Sequence, residues 1–298
     1  MQTLWEEFSR QITPTFELLT YAYLLLVFTW PLFLLLERRV PVVPGQPRSN
    51  LWFNWRVVLA NFVLSAPFYA FAVAFSLVAA HAVGGPFVPF PLLEPVAHVP
   101  LVGPALHVAA LFLLACFLGD FWYYWWHRAQ HEVPFLWELH KFHHSEEHLN
   151  TTSIYRSHFL ELPGQATVRG FSVGLLVDLR LPETAVVALL AAVVAPALWD
   201  FFIHANVRID WLQRLLPFLS TPQYHWIHHS DQPEHQDRNY AIWLPVFDRL
   251  FGSYYAPSVD EYPTTGLASG EKIETLWEAE AGPFLAWARA KQRGARGA

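Results

Sequence analysis

The chain has 298 residues, of which 54% are hydrophobic and 16% aromatic but only 15% charged. An average soluble domain is roughly 45–50% apolar and 25% charged, so this balance argues for a membrane protein. The net charge of -6, with no basic patch interleaved with aromatics, excludes a nucleic-acid footprint, and the single cysteine, Cys116, excludes intramolecular disulfides, thiolate-held iron–sulfur clusters and cysteine-based zinc sites.

In chain order, residues 18–36 form an uncharged run of 19 residues that ends at Glu37-Arg38-Arg39. That length suits a crossing of roughly 30 Å of hydrocarbon. Residues 57–80 give a second uncharged run, with Pro67 as a tolerated interruption, and residues 105–126 a third, broken only by Asp120. Three crossings are therefore expected. Glu6 and Glu7 stand where a signal peptide would carry basic residues, so no removed signal is expected. Pro/Gly-rich stretches, 40–47 and 84–104, link these runs without marking a domain boundary.

The loop after the first run carries Arg38, Arg39, Arg48 and Arg56, whereas residues 81–104 carry no Lys or Arg, which puts the first loop in the cytoplasm. The third run then delivers His127 to the cytoplasmic side. Residues 183–203 read as another span ending at His204. A shared site on both sides of it needs an even number of crossings, so the weaker segment 160–177, which contains Glu161 and Arg169, must pair with it as a spanning or re-entrant hairpin. The stretch 270–296 spaces Leu276, Trp277, Phe284, Leu285 and Trp287 among charges. It reads either as an interfacial amphipathic segment or as a tail packed on the catalytic part.

Twelve of the fifteen histidines lie between residues 127 and 235, and eight of them spell His127-x-x-x-His131, His140-x-x-His143-His144 and His225-x-x-His228-His229. On a helix, positions i, i+3 and i+4 fall within roughly one 100° arc, so each box puts its imidazoles on one face. Eight converging rings exceed the four ligands of one tetrahedral zinc, which predicts two metal ions, held by nitrogen and oxygen. Imidazole alone does not choose between iron, copper, nickel and zinc. A metal transporter would want its polar groups near the bilayer midplane, whereas these gather beyond span ends. A zinc protease would want His-Glu-x-x-His, and His131-Glu132-Val-Pro-Phe135 lacks the second histidine. A haem-binding or other metal-binding protein without oxygenase activity is the remaining alternative.

These boxes resemble those of the fatty acid hydroxylase/sterol desaturase superfamily of membrane non-haem di-iron enzymes. Trp122-Tyr-Tyr-Trp-Trp-His-Arg128 leads into the first box, and Leu136-Trp-Glu-Leu-His-Lys-Phe-His-His-Ser145 contains the second. Arg156-Ser-His-Phe-Leu-Glu161, Phe202-Ile-His-Ala-Asn206, Asn239-Tyr240 and Phe247-Asp-Arg-Leu-Phe-Gly-Ser253 are similar to further family stretches, with Ala241, Phe247 and Ser253 as departures. The likeness covers residues 115–255 within a single membrane domain, 1–298. It implies an all-α fold: a polytopic helical bundle with a cytoplasmic, histidine-rich catalytic cap.

It also implies two iron ions with O2 as co-substrate, and hydroxylation or desaturation of a fatty acyl, sterol or related lipid drawn from the bilayer. Electrons would come from an external donor, a cytochrome b5-like protein, a ferredoxin or a flavoprotein reductase. The implied ligands are His127, His131, His140, His143, His144, His225, His228 and His229, with His204 as the ninth. Asp200, one turn before His204, is expected around the metal rather than on it. Asp120, two turns before His127, would orient a ligand imidazole or pair with an arginine. His148, His158, Asn206 and Asn239 are expected around the ligands or on the substrate side. His81, His98 and His107 are expected to be incidental.

Overall fold

The structure, a computed structural model, describes residues 4–84, 102–176 and 183–296. His98 and residues 177–182, within expected loops, lie outside these, as do the side chains of His81 and Arg169. Every regular element among the described residues is helical, apart from one isolated bridge between Ser230 and Thr265. Helices α1 (Leu4–Arg39) and α2 (Arg48–Ala82) pack together, and α3 (Gly103–Glu132) follows. Arg48–Ala80 and Ala105–Glu132 are long and apolar enough to cross a membrane. The further spans expected at 18–36 and 183–203 are helical, inside α1 and inside α6 (Glu183–His204). Large apolar side chains on these helices face outward, among them Phe28, Leu32, Leu59, Val63 and Leu113. Apolar exposure on this scale suits a lipid surround better than water.

Helix α2 reads in sequence as plainly apolar, yet it carries a polar stripe. Asn54, Asn61, Ser65 and Ser76 follow one another at 7, 4 and 11 residues, close to whole turns, so they share one face. Asn54 Nδ2 donates to Glu146 (2.9 Å) and Thr152 (3.1 Å), and Asn61 Nδ2 to the Ser157 carbonyl (2.7 Å). Ser65 Oγ reaches the Phe159 carbonyl (2.8 Å) and Ser76 Oγ the Thr167 carbonyl (2.9 Å). The stripe thus fastens residues 146–167 along α2. Buried polar groups need such partners, which explains why an apolar span tolerates them.

Helix α5 (Glu161–Leu176) packs against α2 and α3, and α6 against α3. Close approach of α5 depends on two glycines. A Cβ on Gly164 would lie 2.5 Å from Trp126, and one on Gly170 3.0 Å from Ser76. Helix α5 leaves the histidine-rich region at Glu161, and α6 returns to it at His204. The chain therefore goes out and back, as a shared site requires. Glu37, at the end of α1, ties this return: its Oε1 accepts Thr151 N–H (2.8 Å), Thr151 Oγ (2.9 Å) and Asn206 N–H (3.1 Å).

Pro134 sets the corner that brings the first two boxes together. Val133 closes α3 and caps α4 (Pro134–His144), where proline sits in the first turn, the helical position that needs no N–H. Thr221 caps α7 (Pro222–His228), its side chain accepting Tyr224 N–H. Helix α8 (Val246–Phe251) ends at Gly252, whose φ of 82° is the left-handed conformation glycine adopts freely. Helix α9 (Leu276–Arg296) packs on α4, with Trp287 stacked on Phe135 at 4.0 Å and Ala279 in a core with Phe53, Val57 and Phe142. Of the two expectations for this tail, packing on the histidine-bearing part is the one observed, although Trp277 remains exposed.

Candidate metal centre

Two adjacent groups gather all nine histidines singled out from sequence. His127, His131, His140, His144 and His228 form group one, and His143, His204, His225 and His229 form group two, with candidate ligand atoms within 4.8 Å of one another in each. The boxes divide between them by helical angle. His140 and His144, four residues apart, stay together, as do His225 and His229. The intervening His143 and His228 cross to the other group. Positions i+3 and i+4 diverge by about 100° around a helix, so one box serves two neighbouring points.

The tautomers follow from what the outer nitrogens touch. Nδ1 of His127 donates to the Tyr240 carbonyl (2.7 Å), that of His204 to the Asp200 carbonyl (2.7 Å) and that of His228 to the Arg238 carbonyl (2.8 Å). A carbonyl only accepts, so each Nδ1 carries the hydrogen. His140 Nδ1 lies 2.7 Å from Glu161 Oε2, the same arrangement with a carboxylate. Burial, followed by the charge of neighbouring imidazoles, holds His140, His143, His144, His225 and His229 well below the ordinary histidine pKa of 6.5, and burial with His127 does the same for His228. In His127, His140, His204 and His228, whose Nδ1 meets an acceptor, a neutral ring with hydrogen on Nδ1 leaves a bare lone pair on Nε2.

Those lone pairs face one another. Nε2–Nε2 separations are 3.1 Å for His127–His140, 3.0 Å for His127–His228, 2.9 Å for His204–His225, 3.3 Å for His143–His204 and 3.1 Å for His225–His229. Nε2 of His131 and of His144 is buried with no hydrogen-bond partner. Between His127 and His140 and between His127 and His228, where both rings carry hydrogen on Nδ1, the arrangement is repulsive unless a cation lies between. Two nitrogens each about 2.1 Å from one ion and roughly 90° apart would be about 3.0 Å from each other, so these separations fit a metal ion in each group. Five nitrogens in group one also exceed a tetrahedral set.

The remaining predicted residues are distributed around this centre. Asp200 holds His204 through its backbone carbonyl, while its carboxylate Oδ1 lies 3.2 Å from the same nitrogen without a hydrogen bond. The Asp120 carboxylate accepts the backbone N–H groups of Trp243 (3.2 Å) and Leu244 (2.6 Å), so it pins the segment that presents the Tyr240 carbonyl to His127. His158 donates its backbone N–H to Glu161 Oε1 (3.1 Å), while its ring lies 3.1 Å from the Glu280 carbonyl. His148 lines a polar cavity beside Asn50 and Arg156. Asn206 brackets Val43, accepting its N–H (2.9 Å) and donating to its carbonyl (2.7 Å). Asn239, at φ 59°, donates to the Tyr224 carbonyl (3.2 Å) and accepts Tyr255 N–H (2.8 Å). His107 is buried in α3.

Several supporting groups were not assigned from sequence. Glu161 orients His140 and also accepts from Gln130 Nε2 (3.0 Å). Tyr240 packs its ring against His127, His131 and His228, with centroids 5.9, 5.1 and 6.0 Å apart. Asp248 is fully buried and accepts four bonds, from Tyr240 N–H (2.8 Å), Ala241 N–H (2.8 Å), Tyr224 Oη (2.7 Å) and Ser253 Oγ (2.6 Å). Burial raises its pKa while these bonds lower it. The one legible signal was a carboxylate, Glu161, at the head of a segment with a single other charge, Arg169.

Comparison with known proteins agrees with this centre. The fatty acid hydroxylase family profile matches residues 112–253, which contain all nine histidines. Alkylglycerol monooxygenase of Danio rerio is 34% identical over 149 residues, 49% of this chain and 30% of that protein. The Homo sapiens alkylglycerol monooxygenase is 34% identical over 143 residues, 48% of this chain and 30% of that protein. Ornithine lipid hydroxylase OlsE of Rhizobium tropici is 30% identical over 145 residues, 49% of this chain and 42% of that protein. The chain thus spans about a third of the length of the alkylglycerol monooxygenases it matches. No solved structure matches it. With the histidine boxes, these matches make residues 112–253 similar to the fatty acid hydroxylase family.

Proposed function

We propose that this protein is an O2-dependent lipid monooxygenase whose nine histidines hold two iron ions. The observation that carries the reading is the convergence of nine buried imidazoles, in two groups, with Nε2 lone pairs facing one another. Iron is chosen over zinc because the relatives are named as oxygenases and hydroxylases, and insertion of oxygen from O2 needs a redox metal. The metal pair, when bound, supplies oxygen activation against an unactivated C–H bond. Overall, R–H + O2 + 2 e⁻ + 2 H⁺ gives R–OH + H2O, with the electrons drawn from an external cytochrome b5-like, ferredoxin or flavoprotein donor.

The chain's own residues prepare that chemistry. Glu161, Asp200 and the carbonyls of Tyr240 and Arg238 fix ring orientation and keep Nε2 free of hydrogen, which makes each imidazole a better ligand. The aromatic layer of Tyr124, Tyr240, Phe247 and Phe251 excludes water from one flank. The proposed setting is a multi-pass bundle with the centre at the cytoplasmic face, where Arg38, Arg39, Arg48 and Arg56 lie, and with lipid entering from the bilayer. One domain with its catalytic core in 115–255 accommodates this.

Alkylglycerols and ornithine lipids, named by the relatives, are the first substrates to supply. Iron-loaded protein with a reductase system and 18O2 should incorporate one labelled oxygen into a lipid, and His143→Ala should abolish this and lower the metal content by about one ion, as group two loses a ligand. Loss of two hydrogens without label would mean desaturation instead. Absence of both products across lipid classes, with iron bound and reduced, would rule the reading out.

A further inference from the structure

Among the described residues, the two groups differ in the cavities that reach them. A cavity of about 210 Å³ has His131, His144 and His228 on its wall, all three members of group one. Its lining also includes the exposed residues Gln236, Asp237, Ala268 and Ser269, which connect it to solvent. Ser230 adds a further hydroxyl to the wall. Such a cavity is polar and roomy enough to hold several waters. The Nε2 atoms of His131 and His144, which have no hydrogen-bond partner, belong to the same group. As a whole residue His131 is the least buried of the nine, although its imidazole is as enclosed as the rest.

We propose that this cavity is an aqueous port to group one, through which water and protons exchange with the cytoplasmic solution, and that metal ions leave and enter group one faster than group two. The inference rests on the two-metal reading above. It gives the reaction what its stoichiometry requires: a polar route for two protons inward and one water outward, separate from the lipid. The port is lined by His131 at the end of α3, by α4, by His228 of α7 and the segment after it, and by residues 266–271. Asymmetric access also means that the two metals, although their ligands come from the same boxes, are not equivalent toward a water-soluble chelator.

The test uses full-length protein loaded with iron, its metal content measured first, followed by addition of EDTA and a time course of metal release. The expected result is two phases of equal amplitude. Ala268→Trp, which places an indole over the mouth, should slow the fast phase on the order of tenfold and leave the slow phase unchanged, because lifting a docked indole opposes every passage. Ser269→Trp repeats the occlusion from the neighbouring position in case the first variant folds poorly. A wild-type content of two with one release phase, or with a fast phase that neither variant slows, overturns the port and leaves the two-metal reading standing. A content of one overturns the two-metal reading and the asymmetry with it.

Discussion

Glu161→Gln isolates the support of a single ligand. The Glu161 side chain is buried, and its carboxylate accepts three bonds: from His140 Nδ1 (2.7 Å) and Gln130 Nε2 (3.0 Å) on Oε2, and from His158 N–H (3.1 Å) on Oε1. Glutamine has the same shape but one acceptor oxygen. With that oxygen toward His140, the amide NH2 meets the His158 N–H and a buried donor is stranded, at about 1–3 kcal/mol. With the amide reversed, NH2 faces His140 Nδ1 and forces hydrogen onto Nε2, which then cannot bind metal. The first arrangement wins, and His140 keeps a bond to a neutral oxygen, roughly half as strong as one to the carboxylate that Glu161 presents above its own pKa, which burial pushes up to about 8.

Loss of such outer support lowers metal affinity about 10- to 100-fold, or about 1.4–2.7 kcal/mol. Equilibrium competition against a calibrated chelator measures it, with the thermal midpoint of metal-free protein as the control for folding. Glu161→Ala should be worse, since all three donors lose their acceptor. An unchanged affinity in Glu161→Gln, or an alanine variant no weaker than the glutamine one, would refute the reasoning.

Asp248→Asn should destabilise the protein by about 2–4 kcal/mol, because the amide meets either the Tyr240 or the Ala241 N–H head-on and charge assistance is lost from all four bonds; chemical unfolding in detergent measures it. Gly164→Ala should lower stability by about 1–3 kcal/mol despite alanine's better helix propensity, since its Cβ would sit 2.5 Å from Trp126; a raised thermal midpoint would contradict that packing. The metal-free protein should also lose stability on acidification. His140, His143, His144, His225, His228 and His229 have folded pKa values well below 6.5, so below about pH 6.5 the unfolded chain binds more protons than the folded one. Stability is therefore full above that pH and falls as pH drops toward the folded values. Equal unfolding midpoints at pH 8 and pH 5.5 would contradict it.

The histidine boxes were legible because i, i+3 and i+4 spacing survives in any helix, and their union in two groups needed only that the helices meet. How the boxes split was not legible. Whether His143 joins His140 or His204 depends on where α6 ends relative to α4, a tertiary fact. The orienting groups were hidden for a related reason: Tyr240 and Arg238 act through backbone carbonyls, which carry no residue signature. Asp120 illustrates the opposite case, a carboxylate conspicuous in an apolar run that serves the centre at one remove, by holding residues 243 and 244. The polar stripe of α2 was diluted by apolar neighbours, so the helix looked uniform until its partner segment was in place.

The most direct test of the account is metal stoichiometry in purified wild-type protein and in two single variants, His131→Ala for group one and His204→Ala for group two. The account predicts about two irons per chain without haem bands in wild type, and the loss of about one in each variant. Haem absorbance, or metal content that neither substitution lowers, would contradict it.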